Sequence, residues 1–336
     1  MVKNKNKDKS KDKLTASDVR ARDKVVAEDV HHELMEGQST ELLRELHLLT
    51  RRGDLNADAR RKLKQINHYC ATLRQDIEAL FEGDRDPVLL DAGAGNAYLG
   101  FILYEVFLHN RERGHIVNVD RRNDLVQRGE SRAERLGYTR MKFARASVAE
   151  LLPGMPIGDD TPEPLGWSPT GKVDAVISLH ACDTATDEAI LLGLQSGAPF
   201  IAVVPCCQAE VFNLLKGQGR GHASHPLWRH AWHRREFGAH LTNVIRALVL
   251  EAWGYKVTVT ELAGWEHSLK NELILARRHQ RSNGAARRQL QALIDDLPPL
   301  DMGLLRALGL QRTVPTYDAP APVAPDDVAE VAEPGA

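Results

Sequence analysis

Apolar residues recur at helical spacing between residues 39 and 83. Leu42, Leu46 and Leu49 share one face, and Leu63, Ile66, Cys70, Leu73, Ile77 and Leu80 alternate steps of three and four. The spacing predicts two amphipathic helices, the second ended by Gly83, with Cys70 on the buried stripe as a small hydrophobe. After Pro87 the rhythm changes. Short apolar runs, "VLLDAG", "HIVNVD", "MKFARA", "VDAVISLH" and "FIAVVP", alternate with helical stretches, which implies a parallel sheet with crossovers on both faces. "YKVTVTELAG" and "NELILARRH" follow with a connection too short for a parallel crossover, so they predict an antiparallel hairpin at a sheet edge. A last helical stretch, 285–310, is broken at Pro298 and Pro299.

The organisation expected is a basic tail over 1–13, a helical extension over 14–85, a sheet domain over 86–280, a helical segment over 281–313 and an acidic Pro/Ala-rich tail over 314–336. Lysine occupies alternate positions from Lys3 to Lys13, and the acids of the last segment stand without a base, so both ends read as solvated. With 336 residues, 43% hydrophobic and 27% charged, the chain can bury a large core. No apolar run is long enough to span a bilayer. Four cysteines, two of them adjacent, make no disulfide framework, and a cytoplasmic location without membrane association is the expectation. The sequence leaves the oligomeric state open.

The strongest chemical signal is "VLLDAGAGNAYLG". An apolar strand ends at Asp91, and Gly93 and Gly95 let the backbone turn tightly against a ligand before a helix opens near Tyr98. The dinucleotide fingerprint asks for a third glycine where Tyr98 stands, and Gly100 comes two residues late. Asp120, ending the next strand, is placed to accept hydrogen bonds from a ribose diol.

These two motifs resemble those of class I S-adenosylmethionine-dependent methyltransferases, over roughly residues 87–279. The resemblance implies a Rossmann-like, seven-stranded, mostly parallel sheet with an antiparallel terminal hairpin, here preceded by a helical N-terminal extension, and S-adenosyl-L-methionine as cofactor. It implies that Asp91, Gly93 and Gly95 face the methionine part of the cofactor, that Asp120 holds the ribose, and that Ser147 and Val148 meet the adenine. Ser147 stands where the family often has an aspartate, and its hydroxyl or backbone amide would serve instead. A helix before the first strand often covers the methionine end in this fold, which makes Lys64 a candidate partner for the cofactor carboxylate. The competing reading of Lys64 is an exposed charged face.

"LHACDTATD", leaving the fourth strand at Leu179, together with the later "PCC", resembles a subgroup that includes the tRNA acceptor-stem 2′-O-methyltransferase domain. That resemblance places Leu179 beside the cofactor and makes His180 or Asp183 a candidate base for an oxygen or nitrogen nucleophile. Cys206 and Cys207 have three readings: a nucleophile toward a pyrimidine, zinc ligands with Cys182 and a histidine, or small side chains lining the pocket behind Pro205. The last is favoured, and no resident metal is expected. Farther on, Lys216, Arg220, Arg229, Arg234, Arg235 and Arg246 share a stretch with Trp228 and Trp232, a pattern that can bind phosphates and stack bases or form a solvated helix face. Arg229, Arg234, Arg235 and Asn271 are the candidate substrate contacts, and RNA is the substrate expected. Small-molecule or protein methylation and a silent cofactor-binding module are the alternatives.

Overall fold

The computed structural model describes residues 26, 28–152, 173–179, 181, 183–206, 208–262, 271–310 and 312. The expected tails, His180, Cys182 and Cys207 lie outside them. In chain order the elements are α1 (Glu28–His31), α2 (Thr40–Glu45), α3 (Ala57–Leu80), β1 (Val88–Ala92), α4 (Tyr98–Leu103), β2 (His115–Asp120), α5 (Asn123–Leu136), β3 (Met141–Arg145), β4 (Ala175–Leu179), α6 (Thr184–Ser196), β5 (Phe200–Val204), α7 (Ala209–Leu214), α8 (Ala231–Ala252), β6 (Tyr255–Glu261), β7 (Glu272–Arg278), α9 (Gly284–Asp296) and α10 (Gly303–Ala307). The strands form one sheet in the order β3-β2-β1-β4-β5-β7-β6. β1 to β5 are parallel, and β7 runs antiparallel between β5 and β6, as the short β6–β7 connection requires.

Each of β1, β4 and β5 is buried almost end to end, because helices cover both faces. α1 to α5 share one core cluster with one face, and α6 to α10 cover the other. The stripe read from α3 is fully buried, and the Tyr69 hydroxyl on it donates to the Ala202 carbonyl of β5 at 2.7 Å. A second tie fixes the extension. Ser39, which caps α2 through Leu42 N–H, also donates from its hydroxyl and its amide to the buried Glu105 carboxylate (2.5 and 2.9 Å), which accepts from Tyr138 as well.

The first predicted helix is shorter than its apolar spacing implied. α2 ends at Glu45, His47 takes a left-handed φ of 55°, and Leu49 instead forms an isolated antiparallel bridge to Leu55. Leu42, Leu46 and Leu48 are buried, and turning at His47 brings Leu48 inward in place of Leu49. Gly100 supplies what the late third glycine left open. A Cβ there would run into the Asn118 carboxamide of β2, so the close helix-to-strand approach is made one half-turn into α4.

Candidate active site

A cleft of about 460 Å³ opens across the carboxyl ends of β3, β2, β1 and β4. It lies where the strand order reverses direction around β1, the place where open α/β sheets take ligands. Gly93 and Gly95 turn with φ of +72° and +60°. A Cβ added at Gly93 would already touch the Ala181 Cβ at 3.4 Å, so the bare backbone sets the width of the cleft between β1 and β4. Beneath the turn, Asp91 is 2% exposed and its Oδ2 has no hydrogen-bond partner. Burial pushes its carboxyl up to about 7; the Gly100 amide works against this and the Asp120 charge adds to it. A buried acceptor left unpaired is costly, and a cationic ligand over the glycine turn would satisfy it.

Asp120 forms the mouth. Its carboxylate accepts from the Gly95 amide at 2.8 Å, the Arg122 amide at 2.9 Å and the Arg122 guanidinium at 3.2 Å. Burial opposes its ionised form, yet these donors hold its carboxyl below the usual range. It therefore stays an acceptor, as a diol requires. Ser147 and Val148 line the far end. The Ser147 amide, however, donates to Glu150 at 2.6 Å while its Oγ accepts from the Glu150 amide at 3.3 Å. That reciprocal cap removes the amide from use and leaves the hydroxyl proton. The orphaned Asp91 oxygen, the glycine cradle and the ionised Asp120 together fit an adenosine carrying a cationic amino acid.

Several expected residues are placed elsewhere. Lys64 points to Glu33 at 3.7 Å and is 56% exposed. The lysine that reaches the glycine-loop helix is Lys62, 4.7 Å from the centroid of the Tyr98 ring. Helical arithmetic finds it: Lys62 precedes Ile66, Tyr69 and Leu73 by four, seven and eleven residues, all buried. Leu179 ends β4 and packs on the core, while Ala181 takes the lining position.

Asp183 has a structural task. It sits at φ 49°, ψ −115°, its Oδ1 accepts from the Ala209 and Glu210 amides (2.9 and 3.3 Å), and its carbonyl accepts from Arg246 at 2.9 Å. It thereby caps α7 from another loop. Its carboxylate is committed, which weakens its case as the base. Cys206 is a half-buried thiol in the loop after β5, and Cys70 is fully buried, with its thiol pushed up to about 12 by burial. Among the described residues no three His, Cys, Asp or Glu side chains gather as a metal site; Cys182 and Cys207 of the zinc reading lie outside them.

The basic segment divides. Arg246 is fully buried against Asp187 at 2.6 Å, with a further bond to Asn243. Trp228 is 1% exposed and donates to the Gln218 carbonyl. Arg234 is half-buried with its guanidinium over Phe212, so it is a packing residue more than a surface cation. Asn271 is 4% exposed and accepts from Gln65 at 2.9 Å. Arg229 and Arg235 stay exposed, and Arg235 lies 4.5 Å over Trp232, itself 61% exposed.

The cleft is also lined by Thr184 and by three residues that the sequence did not single out, Arg121, Arg122 and Glu188. Glu188, half-buried on α6, accepts from the Ala149 amide at 3.2 Å, and burial raises its carboxyl above the usual range. Its signal was available, because position 188 stands one turn after Thr184 and so shares the face at which α6 begins.

Residues 61–213 match a family described as a methyltransferase domain. No curated protein matches the chain. Among solved structures, a methyltransferase of Podospora anserina, PaMTH1, with SAH bound shares 14% identity over 75% of this chain and 93% of its own, with a TM-score of 0.43. An rRNA methylase of Streptococcus thermophilus shares 13% over 62% and 95%, with a TM-score of 0.37. Likenesses this distant carry no argument about chemistry. The family match falls on the elements that build the cleft: residues 61–213 are similar to a methyltransferase domain, and the cleft they form fits S-adenosylmethionine.

Proposed function

We propose that the domain methylates RNA by direct transfer to an oxygen or nitrogen atom, in the cytoplasm. The observation that carries this reading is the exposed Trp232–Arg235 pair and its position. β6 runs parallel to β5, so α8, which leads into β6, begins on the carboxyl side of the sheet, the side that carries the cleft. Leu227, Trp232, Arg229 and Arg235 are all exposed there, an apolar and cationic rim suited to stacked bases and phosphates.

When bound, S-adenosylmethionine supplies a methyl group on a cationic sulfur that leaves as a neutral thioether. The protein's part is alignment in a desolvated cleft. Asp91 would meet the cationic end, Lys62 is the candidate partner for the carboxylate, Asp120 would accept from the ribose, and Ser147, Val148 and Glu188 would surround the adenine. With Asp183 engaged in capping, we assign the proton acceptor to His180, adjoining the last residue of β4. Cys206 lines the substrate side without reacting.

Measuring labelled methyl transfer and RNA binding by Trp232→Ala and Arg235→Glu tests the reading. Each is expected to weaken RNA binding by about 10- to 100-fold, the worth of about 1–3 kcal/mol of stacking or phosphate contact, with cofactor affinity unchanged. RNA binding equal to that of the native chain in both, alongside intact transfer to a small molecule, refutes it.

A further inference from the structure

On the sheet face that carries α2 and α5, a second hollow of about 410 Å³ opens between the turn after α2 and the outer side of α5. His47, Asp124, Gln127, Arg128, Ser131, Arg132 and Arg135 line it. Two of the three arginines are neutralised where they stand, Arg128 by Asp124 at 2.6 Å and Arg135 by Glu45 at 2.8 Å. Arg132 is not. It is 8% exposed, its Nε is buried without a hydrogen-bond partner, and although the Glu45 charge acts on it, no carboxylate forms an ion pair with it among the described residues. Burial lowers its guanidinium below the ordinary value.

The Phe101 ring, 5.5 Å from the guanidinium carbon, accounts for one face of Arg132 as a cation–π contact. It leaves the buried Nε without a hydrogen-bond partner. A buried cation without an anion is among the least favourable arrangements in a folded chain, and the donors around this one are of the kind that converge on phosphate: a planar guanidinium, a serine hydroxyl, a carboxamide and an imidazole.

We propose that this hollow is a phosphate-binding site anchored by Arg132, with Ser131, Gln127 and His47 as donors at its rim. α5 starts three residues after Asp120, so the site lies along the flank of the helix that begins at the mouth of the cofactor cleft. A backbone phosphate of a bound polynucleotide and a free phosphate present the same chemistry here. The polynucleotide source rests on the proposed RNA substrate; the phosphate site does not.

The test uses the full chain and two measurements. Thermal unfolding is followed against inorganic phosphate at constant ionic strength, and binding of a single-stranded RNA oligonucleotide is measured in parallel. Phosphate is expected to raise the native midpoint in a saturable way. Ser131→Glu, which adds a carboxylate at an exposed helix position, is expected to abolish that rise while shifting the phosphate-free midpoint by no more than about 2 °C. Arg132→Met should abolish it too, and Trp232→Ala should leave it unchanged. A loss of RNA affinity of about tenfold in Ser131→Glu supports the site with the polynucleotide as its source; unchanged RNA affinity with the phosphate response lost supports it with free phosphate as the source. No phosphate response in the native chain, or a full response in Ser131→Glu, overturns the proposal, whatever becomes of RNA binding to Trp232→Ala.

Discussion

Asp120 and Arg122 meet at the mouth of the cofactor cleft, with the guanidinium 59% exposed and the carboxylate 10%. Asp187 and Arg246 meet beneath the loops that follow β4 and β5, where the two side chains are 5% and 0% exposed. The residue types are the same, and burial separates their uses. The outer arginine can swing into water when a diol takes its place on Asp120, at the small energy typical of exposed pairs. The inner arginine cannot leave, because it bonds Asp187, Asn243 and the Asp183 carbonyl at once. One pair therefore belongs to a ligand site, while the other holds the loop behind it and the left-handed Asp183 in place.

Breaking the inner pair should have the largest effect. Arg246→Met leaves a buried carboxylate without its cation and is expected to cost about 3–5 kcal/mol of stability, read from urea unfolding. Replacing Asp187 by Leu in the same chain should restore much of the loss. A cost for Arg246→Met below about 1 kcal/mol would erase the distinction between the two pairs.

The outer pair is expected to respond in the opposite measurement. Asp120→Asn should weaken S-adenosylmethionine binding by about 1.5–3 kcal/mol in calorimetry, the worth of hydrogen bonds to a charged acceptor, and change stability by less than about 1 kcal/mol. A stability loss as large as that of Arg246→Met would mean that both pairs are structural.

The comparison is also sharpened through pH. The Asp91 carboxyl stands at about 7 in the folded chain and near its ordinary value, about 3.9, when unfolded. Between these values the folded state holds the extra proton, so this group's contribution to stability falls as pH rises from about 4 to about 7. A cationic ligand favours the ionised form, so its binding releases that proton below pH 7. Cofactor affinity is expected to increase by up to about tenfold per pH unit below about 7 and to level off above it, with Asp91→Asn removing the slope. A flat profile in the native chain would place the cationic group away from Asp91.

How much of this was legible follows from where each signal resides. The α3 stripe, the parallel strands with their crossovers and the terminal hairpin were readable because burial imposes a period on the sequence and a short connection forbids a crossover. The glycine turn and Asp120 were readable because backbone conformation and strand-end position are local properties. The substrate side was not readable in the same way. Nothing in "HRREFGAHLTNVIR" separates Arg235, which lies over an exposed tryptophan, from Arg246, which is fully buried. Each is a basic residue of one helix, and what divides them is the neighbouring chain: Asp187 of α6 meets Arg246 on a late turn of α8, while Phe212 of α7 packs on the early turns at Arg234 and Gly238 and leaves Arg235 uncovered.

Lys62 and Lys64 teach the same lesson at closer range. Two residues apart on α3, they differ by more than a right angle around the helix, and only the docking of α3 on α4 decides which one meets Tyr98. Asp183 looked like a base by its place after β4, yet the approach of α7 made it a cap.

The sequence by itself determined the sheet, its crossovers, the hairpin and the turn that cradles a cofactor, because periodicity and backbone freedom are written residue by residue. The tertiary structure alone decided which charges remain available to a ligand. Burial and pairing are set by segments far apart in the chain: Arg246 is satisfied by Asp187, 59 residues before it, while the buried Nε of Arg132 has no hydrogen-bond partner among the described residues.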